Sequence, residues 1–230
     1  GWAAKTALPH YVQQSKMMLN IGSVREGERI TLYGVPWLVK KINLFTEIEN
    51  PSLGIELRIP IEDLFGMSSR TFHPKEPWFP CKRNDWVILS DGTRGAVVSL
   101  SHETVELVQR GGARKAYQTA DFLAMTPLNI SISFRLKNTF GIGYDHQKES
   151  TTSILDKMKS FIEKQLEKEG YTDTLLNLRV EFESAGASSL DLVVITDFKG
   201  EQAPLYQRIN RAVQRWCVDA CSEHQWDIPF

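Results

Sequence analysis

The stretch GERITLYGVPWLVKKINLFTEIE (27–49) is echoed by NDWVILSDGTRGAVVSLSHETVE (84–106). Self-similarity of this kind limits the fold more than any other feature, because both copies must build the same unit. Ile30 and Leu32 align with Val87 and Leu89 at an offset of 57. Gly34, Val39, Ile42 and Thr46 align with Gly92, Val97, Leu100 and Thr104 at 58. The one-residue change falls inside the turn, where insertions are tolerated. Each copy reads as alternating strand, turn, alternating strand. Each continues into a further strand (55–59 or 113–118) and closes on an acidic-apolar pair, Asp63-Leu64 or Asp121-Phe122. Five short strands in ~55 residues predict a small, strongly bent barrel.

GMSSRTFHPKEPWFP (66–80) separates the copies. Its prolines deny it helix and central strand, so it reads as an extended connector. Before the first copy, Pro9 is expected to interrupt any long helix, leaving a short amphipathic one around Val12, Lys16, Met17, Met18 and Leu19. After residue 128 the pattern changes. Ile130, Ile132, Phe134 and Leu136 alternate as a strand with one buried face. Ser150 to Thr152 offer N-caps for a helix carrying Ile154, Leu155, Met158, Phe161, Ile162 and Leu166, and Gly170 suits its C′ position. Leu176, Leu178, Val180 and Phe182 then pair, across a turn at 184–188, with Leu190, Leu192 and Val194. Pro204 fits an early position in a second helix carrying Leu205, Ile209, Val213, Trp216, Cys217 and Ala220. WDIPF (226–230) closes the chain as a last short apolar stretch. The order β-α-β-β-α-β is the ferredoxin-like split motif. The expected class is therefore α+β: two small Sm-like β-barrel domains in tandem (24–65 and 81–128), joined by 66–80, then a ferredoxin-like α/β domain (129–230), with 1–23 as an N-terminal segment.

A net charge of −1 argues against a basic nucleic-acid surface. No apolar run approaches the length of a membrane-spanning helix. FGIGYDH (140–146), a strand running into a glycine loop before a helix, has the layout of a phosphate-binding turn. It lacks the third glycine of G-x-G-x-x-G, where His146 stands, and the chain has no Walker motif. Asp145 adds a charge that repels phosphate. The glycines are instead read as permitting a bend at a strand end. Carboxylates are plentiful, but none is paired with a nucleophile, so no catalytic residue, metal ligand or cofactor is expected. Asp191, between Leu190 and Leu192, belongs to the opposite sheet face from its neighbours. Three cysteines are too few and too odd a count for a disulfide scaffold. Cys217 and Cys221, four apart, form either a metal or redox pair or small apolar filling. Arg110, Arg114 and Lys115 flank Gly111-Gly112 as a hairpin tip. Trp37, Trp78 and Trp86 in and near the repeats suit core or subunit interfaces.

Distributed motifs over about 80–230 carry a resemblance. Asn84-Asp85-Trp86-Val87 is similar to a G-D-x-V strand start. Gly95-Ala96-Val97-Val98-Ser99-Leu100 follows G-x-V-x-x-I, and Thr104-Val105-Glu106-Leu107 follows T-x-(V/I)-x-x. Tyr144-Asp145 matches a Y-D turn, Ser188-Ser189-Leu190-Asp191-Leu192 a serine-leucine-aspartate strand start, and Ile228-Pro229-Phe230 an I-P-F ending. In this order and spacing they resemble the cytoplasmic portion of the small-conductance mechanosensitive (MscS-like) channels. The departures are Tyr117-Gln118-Thr119 and Ile59-Pro60-Ile61 where an I-P-N corner is usual, Trp37 in place of the G-x-V glycine, and two barrels where common members have one.

The resemblance implies a homo-oligomer, heptameric in familiar members, that forms a hollow vestibule on the cytoplasmic side of a cell inner membrane. Its partners are its own copies, a bilayer reached through missing transmembrane helices preceding residue 1, and the ions and small osmolytes released under tension. No nucleic acid is expected. The opening Gly-Trp-Ala, without an initiator Met, is read as an excised piece of a longer protein. Openings of the vestibule fall at the barrel–α/β junction, making Asn129, Ser131, Arg135, Tyr144, Asp145 and His146 candidate portal residues. Trp86 and Asp191 are candidate subunit-interface residues. A second reading stays open: a soluble regulatory module, or an Sm-like nucleic-acid or small-molecule binding module.

Overall fold

The computed structural model of the chain describes residues 2–229. Helix α1 (Trp2–Met18) leads into strands β1 (Arg29–Leu32), β2 (Val35–Lys41), β3 (Phe45–Asn50) and β4 (Ile55–Pro60), an antiparallel meander ending in a 3-10 turn at Ile61–Leu64. Strands β5 (Trp86–Ile88), β6 (Arg94–Leu100), β7 (Thr104–Val108) and β8 (Arg114–Gln118) repeat it and end in α2 (Thr119–Ala124). A two-residue strand β9 (Leu128–Asn129) then joins β5, giving the order β8-β7-β6-β5-β9.

The duplication holds down to single hydrogen bonds. Gly27 N donates to Val39 O and Val39 N to Glu28 O (2.8 and 3.0 Å); Asn84 N donates to Val97 O and Val97 N to Asp85 O (2.7 and 2.8 Å). Gly27 and Asn84 are both left-handed (φ 79° and 73°), a conformation that asparagine tolerates better than most side chains. The register slips just after Val39 in one sheet and just after Val97 in the other. The inserted residue lies where expected. Tyr33-Gly34 form a two-residue turn with both φ positive, whereas Ser90, Asp91 and Gly92 form a three-residue loop closed by Leu89 N to Thr93 O.

Neither copy closes into the expected barrel: among the described residues the first sheet has four strands, and the second reaches five only through the short β9. The edges that closure needs are occupied. The outer edge of β1 bonds the connector through Arg29 and Arg70, N to O in both directions. The outer edge of β5 takes β9. Glu76 clamps the connector: Arg70 donates to both its oxygens (3.1 and 2.7 Å), the His73 amide to one, and Arg29 lies 3.6 Å away. The guanidinium of Arg29 also lies 4.7 Å over the Trp78 ring.

Each sheet has its own core. Ile30, Val35, Trp37, Val39, Ile48, Ile61 and Leu64 are buried in the first, with Met17 of α1; Val87, Val97, Val105, Leu107 and Phe122 in the second. Leu53 and Leu123 pack against both. Trp37 and Gly95 occupy equivalent positions. Trp37 is fully buried and donates its indole N–H to Leu32 O. A Cβ at Gly95 would stand 2.8 Å from Val108 O. Pro9 lies inside α1 and does not end it. A mid-helix proline costs one backbone bond and about 3 kcal/mol. The helix nonetheless runs on to its anchor, the buried Met17.

The chain divides into two compact units, 1–129 and 130–230. In the second, β10 (Ser133–Ile142) leads through a 3-10 turn (Tyr144–His146) to α3 (Ser153–Lys168). Then come β11 (Leu175–Ala185), β12 (Leu190–Lys199), a 3-10 turn (Gly200–Leu205) and α4 (Tyr206–His224). The sheet order β10-β12-β11, antiparallel throughout, sets β10 and β11 parallel with β12 between them. Both helices pack on one face. Ile154, Met158, Ile162 and Leu166, four apart, are the buried stripe of α3, and Gly170 sits past its end at φ 79°.

Three details differ from expectation. Residues 226–229 add no strand, so among the described residues the sheet has three strands and not four; Phe230, the last residue of the expected stretch, lies outside them. Their backbone reaches β10's end only through Gly143 N to Asp227 O, and Pro229 has no N–H to extend a ladder. The strand containing Ile130 and Ile132 begins only at Ser133, because Gly200 packs against the chain there. A Cβ at Gly200 would overlap the Ser131 carbonyl, and Gly200 N donates to Ile132 O. Pro204 lies in the 3-10 turn before α4 and not within the helix.

Candidate functional site

The glycines of FGIGYDH make room for a carboxylate. Gly141 of β10 faces Asp191 of β12. A Cβ at Gly141 would lie 2.9 Å from Ser189 Cβ and 3.4 Å from Asp191 Oδ1; one at Gly186 would lie 3.3 Å from Asp191 Oδ2. Ser189 Oγ donates to Asp191 Oδ1 (2.7 Å) and Ser184 Oγ to Oδ2 (3.3 Å). The place where a phosphate would rest thus holds a negative side chain with its own donors. The Tyr144 hydroxyl donates to Gly186 O at 2.6 Å, tying the turn after β10 to the β11–β12 hairpin. His146 Nε2 accepts from Asp227 N (2.9 Å), which holds the chain's tail beside the same turn.

Strand alternation sends the odd-numbered residues of β10 and β12 to the helix-free face. There Arg135 forks onto Asp197, Nε to Oδ1 at 2.7 Å and Nη2 to Oδ2 at 2.8 Å. Asn177 of β11 also donates to Oδ2. The Arg135 hydrogen bond, with help from Asn177, holds the Asp197 carboxyl below its ordinary range, and Asp197 in turn raises Arg135. Lys137 and Thr139 both donate to Glu183, and Arg179 pairs with Glu181 at 3.3 Å. Val193 and Ile195 lie buried beneath these long side chains. The face is self-neutralised, and solvent screening leaves each exposed pair little weight in stability.

Of the predicted site residues, Tyr144 and Asp191 converge on the Gly186 hairpin. Asp145 lies exposed in the adjoining turn. Arg135 lies along β10 with its carboxylate partner. Ser131 is half-buried, with its carbonyl against Gly200. Asn129 belongs to the other unit, where it donates to Asp85 Oδ2 (2.8 Å) and Pro80 O (3.2 Å). Trp86, in β5, is half-buried with the Arg94 guanidinium 5.6 Å over its ring. Cys217 and Cys221 are buried, and burial pushes their thiols up to about 12 and about 11. They act as apolar filling on α4. Burial likewise pushes Cys81 up to about 12.

Sequence reasoning missed two concavities. One, of about 810 Å³, lies in the first unit between the two copies, lined by Tyr33, Leu57, His102, Glu103 and Gln118 among others. It joins residues from separate copies, and no local motif marks it. The other, of about 540 Å³, is lined by Glu169, Tyr171, Arg208, Arg211, Ala212 and Arg215. The spacing of its arginines, three and then four, was the available signal.

Solved structures similar to this chain include Helicobacter pylori MscS in its closed state, at 18% identity and a TM-score of 0.48, covering 66% of this chain and 56% of that one. Arabidopsis thaliana MSL1 is also similar, at 12% identity and a TM-score of 0.44, covering 65% and 53%. The chain spans just over half the length of either. These neighbours are of the channel type that the sequence motifs resemble. No protein-family model and no curated protein matches the chain.

Proposed function

We propose that this chain is a wall segment of the cytoplasmic vestibule of an MscS-like mechanosensitive channel, with a duplicated β-domain. One observation carries the reading. Helix α1 buries Met17 against the first sheet but leaves Leu8, Tyr11 and Val12 67%, 66% and 47% exposed, with Leu19 beyond it at 70%. The first three, at spacings of three and four, share one helical face. Such an apolar face beside the start of the β-sheets calls for a cover, which neighbouring copies around a ring and an adjacent bilayer would supply. The motif residues support the same reading, because they hold the fold. Asp85 receives the Lys82 amide and Asn129, Gly95 admits a neighbouring carbonyl, and Tyr144 ties turn to hairpin.

No helix among the described residues is long and apolar enough to cross a membrane. In this reading, tension acts on membrane-spanning segments of a longer chain, favouring their state of larger area. This portion holds copies together, through faces that include Trp86 and Asp191. It also filters solute at openings near Asn129, Ser131, Arg135, Tyr144, Asp145 and His146. With Arg135 already paired, the filter acts more by size than by charge.

Two measurements test the proposal. Sedimentation equilibrium of the 230-residue chain should show a multi-subunit species, weakened by L8E/V12E. Patch recording of the full-length protein under graded suction should show tension-gated conductance. A strict monomer at high micromolar concentration together with silent patches would end the proposal.

A further inference from the structure

We infer that α4 carries an anion-binding site for a small, multiply charged phosphate-bearing molecule, at the cleft between Glu169 and Tyr171 on one side and Arg208, Arg211 and Arg215 on the other. The inference is independent of the channel reading.

The three arginines, spaced three and four residues apart, share one face of the helix, where like charges disfavour one another. Arg215 is answered by Glu169, Nη2 to Oε1 at 2.8 Å. Among the described residues Arg208 and Arg211 make no ion pair or side-chain hydrogen bond, so two repelling cations stand side by side on an exposed helix face. Glu169 cancels one of the three charges, leaving the cleft at +2.

The choice of cation is informative. Helix α3 carries Lys157, Lys159, Lys164 and Lys168 and no arginine, whereas α4 carries three arginines and no lysine. For solubility alone either residue serves. For gripping a tetrahedral oxyanion the planar guanidinium fork is the better tool. The wall is firm: Tyr171 is buried and its ring is held edge-on against Phe198 at 6.0 Å. Ala212, buried between the arginines, keeps the floor shallow. About 540 Å³ is room for a pyrophosphate group with a modest substituent. The Glu169 carboxylate is the one unfavourable group in the cleft, and it sets a sign that can be measured.

Calorimetric titration of the whole chain with pyrophosphate, at constant ionic strength, is the test. Saturable binding is expected. R208Q/R211Q should weaken it by about tenfold or more per guanidinium lost. R208K/R211K, which keeps charge but not the fork, should fall between that variant and the parent. E169Q should bind more tightly, because it removes the opposing carboxylate and frees Arg215. K159Q/K164Q on α3 should bind as the parent does. All these side chains are on the surface, and circular dichroism should show the variants folded. Absence of saturable binding at millimolar pyrophosphate, or equal losses in the Arg and Lys variants, would overturn the site.

Discussion

Gly141→Ala is a sharp probe of why the glycine-rich stretch exists. The added Cβ would stand 2.9 Å from Ser189 Cβ and 3.2 Å from its Oγ, closer than packed carbons approach. Overpacking of this kind costs about 1–3 kcal/mol. Ser189→Gly removes the obstructing atom, but also the 2.7 Å hydrogen bond from Ser189 Oγ to the Asp191 carboxylate. A hydrogen bond to a charged group contributes about 1.5–3 kcal/mol. If the two changes were independent, the double variant would lose about 2.5–6 kcal/mol, the sum of the two ranges. If Ser189 Cβ is the obstacle, the alanine costs nothing once it is gone. The double variant should then be no less stable than Ser189→Gly, a coupling of about 1–3 kcal/mol in its favour. Urea unfolding of all four proteins measures the cycle, and amide exchange across β10 and the 184–190 hairpin localises it. Additive losses, or a Gly141→Ala protein as stable as the parent, would refute the steric account. That result would return the glycines to a role in binding.

The Glu76 carboxyl is held down at about 2, chiefly by its hydrogen bond from Arg70 and then by the His73 amide, against an ordinary 4.5. A depressed carboxylate stabilises fully above its unfolded value and loses that contribution as pH falls toward 2. The urea-midpoint difference between the parent and Glu76→Gln should therefore shrink from pH 4.5 downward, and a difference that stays constant would discount the clamp. Trp37→Ala should cost about 3–5 kcal/mol by thermal unfolding. Gly95→Ala at the equivalent position should cost about 1–3 kcal/mol, because it presses on Val108 O. Gly200→Ala, whose Cβ would overlap backbone at Ser131, should destabilise far more than Gly170→Ala. At Gly170 the space is open and only the left-handed backbone opposes the change, at roughly 1–2 kcal/mol, so equal melting temperatures would contradict the contact.

Local regularities were legible along the chain. The repeat could be read because each copy uses the same alternation and places glycine at the same left-handed turn, Gly34 and Gly92. The extra residue of the second copy could be assigned to that turn because nowhere else in the hairpin tolerates it. The four-residue spacing of Ile154, Met158, Ile162 and Leu166 announced α3, and Gly170 its end. Each of these is set by neighbours within a few residues, so composition and period suffice. Barrel closure was not legible, because it depends on which distant segment reaches a free edge first. Arg70 takes the edge of β1 and β9 that of β5, each some 40 residues away along the chain. The same holds for Asp191, whose donors and facing glycine come from β10, β11 and the hairpin turn, and for Glu169, which meets Arg215 across two helices. Periodicity records which face of an element is apolar. Partners that meet across the fold leave no periodic trace, so edges, ion pairs and clefts are known only once the chain is folded.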